Sequence, residues 1–243
     1  MTAAPQPSSA SLARLSRTEL ESHLRPRLEA FVAAHAPELG RHSVDESQAL
    51  SDLYDLVHGE STMEWAVPAR RLRADLPTAR VMAVAGVAIS SVALVIQAAG
   101  LPAKVARAIA TRVVDAAVAE SAALVTTLDA DLAAVMNAEG IVDQAEAILG
   151  LVGSITNVAG IGRIVDAARR ELSSYQWVLA GVVITAQLEL WLTTGGTAAA
   201  VAELVPFDTA IAGLAISAQQ AYRVCHPRPD GLTAASLGRG GRS

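Results

Sequence analysis

Hydrophobic and polar positions divide the chain into three zones. From residue 16 to 80 they alternate on short helical periods, from 81 to 225 apolar residues dominate, and from 226 to 243 the pattern dissolves into Pro, Gly and Arg. Three S-x-x-E boxes punctuate the first zone: Ser16 with Glu19, Ser43 with Glu46 and Ser61 with Glu64. In such a box the Ser side chain and the Glu carboxylate each satisfy a free backbone N–H at a helix start, so helices are expected near 17–35, 44–58 and 62–75. Pro37, Gly59 and Pro77 fall at the breaks, and Pro26 is expected to kink the first helix. Residues 1–15, rich in Ala, Ser and Pro, read as a disordered tail.

The apolar zone opens with Val81 to Leu101, which carries no charge. Roughly 20 apolar residues are what a helix needs to cross a bilayer core. Val81, Val84, Val87, Ile89, Val92, Leu94, Val95, Ile96 and Leu101 are therefore the candidate lipid-facing residues of a central hydrophobic helix. Pro102 suits the first turn of the next helix, and neither Gly nor Pro interrupts the chain again until Gly140. That helix would reach ~57 Å at 1.5 Å per residue. Its apolar positions Val105, Ile109, Val113, Leu124, Leu128, Leu132 and Val135 leave one side wet. A Gly-rich apolar stretch, 147–162, follows, then a charged one, 163–171. Two apolar segments, 175–192 and 197–222, flank Gly195-Gly196 and read as a C-terminal helical hairpin. Strand-like alternation is missing, so the fold class is all-α, a helical bundle. The organisation expected is a tail (1–15), a polar helical region (16–80), an apolar helical body (81–225) and a flexible C-terminal tail (226–243).

Acidic residues complicate a simple membrane reading. Glu189, Glu203 and Asp208 lie within the hairpin, and a charge at the bilayer centre costs at least ~2.5 kcal/mol on insertion scales. The hairpin is thus expected either to line a polar cavity or to bring its acids to a bundle surface. Arginines precede the opening run (Arg70, Arg71, Arg73, Arg80), while Lys104, Arg107 and Arg112 follow it, which fixes no orientation. Small residues at Gly86 and Ser90, and at Gly150 and Gly153, permit close helix packing in lipid or in a soluble core alike.

Composition narrows the function classes. Aromatics are 3% of the residues, scarce for a multi-pass protein with interfacial belts. A net charge of −5 with dispersed basic residues argues against nucleic-acid binding. The single cysteine, Cys225, excludes an intrachain disulfide and suits a reducing compartment. The N-terminus lacks the apolar run of a secretory signal, so a cytoplasmic location is expected.

Candidate chemistry is thin. Asp55-x-x-His58, with Asp52 one turn earlier, has the spacing of a carboxylate–imidazole metal pair, but di-iron bundles need two such motifs and further glutamates. It reads as a solvated helix face. Gly160-Ile-Gly162 lacks the third glycine of a dinucleotide fingerprint, and no P-loop, zinc pattern or nucleophile elbow is present. No catalytic residue, metal site or cofactor is implied.

Two resemblances add to this picture. Residues 81–222 resemble, in character, α-helical pore-forming and membrane-inserting proteins, which shield a hydrophobic helix until insertion. The tail, Leu232-Thr-Ala-Ala-Ser236-Leu237-Gly-Arg-Gly240 after Pro227-Arg-Pro-Asp-Gly231, resembles the targeting peptides of encapsulin cargo proteins. Leu232, Thr233, Ser236 and Leu237 match at the family's spacing, while Ala234 and Ala235 stand where Val and Gly are usual. The resemblance implies docking of these four residues into grooves on a shell's inner wall. The function expected is a non-enzymatic, membrane-interacting helical protein sequestered as encapsulin cargo. Two alternatives stand beside it: a soluble all-α cargo enzyme, and a multi-pass membrane protein. The partners expected are an encapsulin shell protein, a lipid bilayer and a second copy of the chain.

Overall fold

The computed structural model describes residues 11–40, 43–65, 79–120, 122–159, 161–194 and 197–226. Every regular element among them is helical, and they share one continuous hydrophobic core. Chain order gives α1 (Arg17–Ala34), the short α2 (Ala36–Leu39), α3 (Glu46–Val57), α4 (Ala79–Ala98), α5 (Ala103–Glu120), α6 (Ala122–Asn137), α7 (Ile141–Ala159) and α8 (Ile161–Glu171). α9 (Ser174–Thr194), α10 (Thr197–Leu204) and α11 (Asp208–Cys225) complete it, with a 3-10 turn at Val205–Phe207 joining the last two.

The N-terminal elements form where local signals place them, with three adjustments. Ser16 caps α1 in a full capping box with Glu19, and Leu20, Leu24, Leu28 and Phe31 line its buried stripe. α1 continues through Pro26, which lies on the exposed side. Part of the expected tail is structured: Leu12–Arg14 form a 3-10 turn, and the Leu12 N–H donates to Gln187 on α9 at 3.1 Å. Burial of Leu12 and Leu15 in the core overrides the tail's polar composition. α3 is capped by Asp45, whose carboxylate accepts from the Gln48 N–H at 3.0 Å, so Ser43 is not its cap. Residues 61–65 are not helical, so no helix starts at Ser61, and the rest of the expected 62–75 helix lies outside the described residues.

Two helices are buried nearly all round, as helices without a polar face must be. α4 is one, packed chiefly on α5 and α11 and then on α7. α9 is the other, packed on α1 and α8, with Trp177 fully buried and its indole N–H donating to the Val165 carbonyl at 2.9 Å. The expected single central helix is thus joined by a second. α5 links the two groups through α8, where Arg112 pairs with the fully buried Glu171 side chain. Gly100, with φ +105°, ends α4 and lets its backbone approach Val57, where a Cβ would come within 3.4 Å of the Val57 Cα.

The long helix expected over 102–139 is described as α5 and α6 on either side of Ser121, which lies outside the described residues, and α6 ends at Asn137 before Gly140. After Gly195-Gly196, also outside them, α10 packs first on α7 and then on α9. α11 then continues to α4 and α6.

Candidate functional site

Among the described residues two helices are long and apolar enough to cross a membrane, and their surroundings differ sharply. The first is α4, whose 20 residues cover the roughly 30 Å of a bilayer core. Val84, Val87, Ile89, Val92, Leu94, Val95, Ile96 and Leu101 are all buried against other helices, and Val81 is half-buried. The side chains singled out as lipid-facing therefore meet protein in this state, and 56% of the helix's most apolar window is buried.

The second runs from Ala200 to Cys225, through the 3-10 turn and α11, and only 28% of its apolar window is buried. Ile211, Leu214, Ala218 and Ala221 form a narrow inner stripe. Outward lie Ala210, Ala212, Gly213, Ile216, Ser217 and Val224, with Ile216 59% and Val224 48% exposed, interleaved with Thr209, Gln219, Gln220 and Arg223. An apolar or small-residue face of this length, turned to solvent, is unusual for a helix whose partners lie within its own chain.

The hairpin acids reach the surface. Glu189 is exposed and pairs with Arg27 at 2.9 Å, Glu203 pairs with Arg14 at 3.5 Å, and Asp208 sits exposed in the first turn of α11. A carboxylate at that end is favoured by the helix dipole. Glu203, near the start of this long helical run, is thus held from outside by an arginine.

The histidine–carboxylate spacing in α3 serves the fold. His58 Nδ1 contacts the Tyr54 carbonyl at 2.9 Å, and its ring stacks on Tyr54 at 4.2 Å. Asp52 accepts from the Tyr175 hydroxyl at 2.6 Å and from the Gln48 amide at 2.7 Å, tying α3 to α9. Burial, reinforced by the Asp52 carboxylate, pushes the Tyr175 phenol well above its ordinary pKa. Among the described residues no three His, Cys, Asp or Glu side chains gather in a way that could hold a metal ion. A cleft of about 600 Å³ lies at the end of α11, lined by Met136, Gln219, Tyr222, Arg223 and His226.

Sequence reasoning missed two features. The outward face of α11 was obscured by Glu203, Pro206 and Asp208, which read as interruptions. The polar contacts joining α4, α6 and α11 at Asp129 are long-range and left no local signal. Leu232, Thr233, Ser236 and Leu237 lie outside the described residues. Comparison with protein-family models, with curated proteins and with solved structures gives no match.

Proposed function

We propose that the chain is a non-enzymatic, membrane-interacting helical protein that stores two membrane-length helices in a bundle and exchanges their protein neighbours for lipid. The observation that carries this reading is the Ala200–Cys225 helix, of membrane length yet largely unburied. Its exposed apolar area gains roughly 25 cal/mol per Å² on leaving water. Its backbone hydrogen bonds are internal, so entering an interface costs none of them. α11 is also one of the two main partners of α4. Its departure to a bilayer uncovers α4, the more apolar of the pair, which then has lipid as its next partner.

The tail gives this activity a container. Leu232, Thr233, Ser236 and Leu237 would dock the chain inside an encapsulin shell, where many copies engaging one shell would gain avidity. Enclosure would hold an exposed apolar helix away from cellular membranes. The test is co-flotation and dye release with zwitterionic and anionic vesicles across pH 5–8. Association with vesicles is expected. No co-flotation and no release at any pH or composition would end the reading and leave a soluble bundle.

A further inference from the structure

Both membrane-length helices terminate at one carboxylate. Asp129 on α6 has a side chain only 14% exposed, and its Oδ2 accepts from Arg80 Nη2 at 2.7 Å. Arg80 is the second residue of α4. The same Oδ2 lies 3.5 Å from Nε2 of His226, the residue that follows α11. His226 is oriented by stacking on Tyr222 at 4.2 Å and by its Nδ1 contact with the Tyr222 carbonyl at 3.3 Å. Cys225, the last residue of α11, lies close to both Asp129 and Arg80. The start of α4 and the end of α11 therefore meet across a single acid carried by a third helix.

We propose that Asp129 is a latch that holds α4 and α11 in the stored state, so that loss of its charge loosens both helices together. The proposal rests on the membrane reading for its purpose, though not for its test. A latch has to be strong enough to set the resting state and weak enough to open. Arg80 is 43% exposed and His226 45%, so water can resolvate either side chain once the contact parts. Pairs of that exposure contribute little, and such weakly held ends are where local opening begins. Asp129 itself is poorly served: its Oδ1 is buried without a hydrogen-bond partner. The carboxylate is thus held by its Oδ2 contacts with Arg80 and His226 and by the Cys225 thiol beside it. The far end of α4 differs, since Leu101 is buried and Gly100 is wedged on the Val57 backbone. Opening is therefore polarised: it starts at the Arg80 end of α4 and the Cys225 end of α11.

The experiment compares the full-length chain with Asp129→Asn, which keeps the shape and removes the charge, and with Arg80→Gln, a change at the more exposed side of the pair. Glu46→Gln, which breaks the Arg25–Glu46 pair between α1 and α3, is the control. Hydrogen exchange without lipid reads the latch, and dye release from mixed zwitterionic and anionic vesicles reads its use. Asp129→Asn and Arg80→Gln are expected to speed exchange at residues 79–86 and 218–225 together, by roughly threefold to tenfold, with faster dye release and no change for Glu46→Gln. Faster exchange in both segments with unchanged release would uphold the latch and overturn the membrane reading. Unchanged exchange in both variants, or a change confined to one helix, would overturn the latch.

Discussion

Gly181 sets how closely α9 approaches α1, and replacing it with alanine is a sharp test of that packing. A Cβ built there would lie 2.4 Å from both Cε2 and Cζ of Phe31 on α1, far inside van der Waals contact. The ring cannot easily swing aside. Its centroid lies 5.3 Å from Trp177 and 4.6 Å from His35, and Trp177 is itself buried and hydrogen-bonded. Overpacking of this kind costs about 1–3 kcal/mol, against a gain of about 0.8–1 kcal/mol from replacing a helical glycine with alanine. The net is a loss of about 1 kcal/mol, which for a chain of this size lowers Tm by about 2–4 °C. Gly213, on the exposed face of α11 with nothing within 4 Å of its Cβ position, supplies the control. Gly213→Ala should raise Tm by a comparable amount, through helix propensity alone. In a Phe31→Leu background the penalty at 181 should shrink by at least ~0.5 kcal/mol, because the two sites are in contact. Thermal melts of the unchanged chain, the three single variants and the Gly181→Ala/Phe31→Leu double variant decide the matter. If Gly181→Ala raises Tm as Gly213→Ala does, the close packing of α1 on α9 is refuted.

Two further outcomes follow from residues on α1 and in the tail. Burial first, and Arg27 second, lower the pKa of His23, with Glu189 opposing them; its folded-state value therefore lies below its unfolded one. Protonation then favours the unfolded chain, so this contribution to stability is full above the unfolded pKa of ~6.5 and is lost as pH falls from there toward the folded value. Urea midpoints should drop between pH 7 and 5, and less steeply for His23→Gln; identical slopes would remove His23 from the account. In the tail, Leu232→Ala and Leu237→Ala should each cut co-purification with a coexpressed shell protein by tenfold or more, since a buried leucine side chain is worth ~1.5–3 kcal/mol. Unchanged recovery of the double variant would dispose of the targeting peptide.

How much of this was legible in the sequence depends on the distance over which each feature is encoded. α4 announces itself, because a run without charge from Val81 to Leu101 admits no other element. The Ser16 capping box is equally local and forms as expected. Asp45 outcompetes Ser43 as the cap of α3, a choice between two good caps two residues apart. α11 was only half legible. Pro206 looks like a break, yet a 3-10 turn at Val205–Phe207 needs no N–H at its early positions and carries the helix through. Glu203 looks like an obstacle to an apolar helix until Arg14, far away in sequence, is placed beside it. The contacts that organise the molecule, Leu12 to Gln187 and Arg80 to Asp129, join segments with no local signature at all. Apolarity also cannot distinguish its partners: Val84, Val92 and Ile96 would satisfy the same rule against lipid or against α5 and α11. Their neighbours settle the resting state of α4, and it is protein. For Ile216 and Val224 the rule is left unsatisfied, since these side chains face outward and no helix among the described residues covers them. The question of lipid therefore moves from the helix with the strongest sequence signal to the one whose apolar face the bundle leaves uncovered, and α11 is where vesicle experiments should first detect contact.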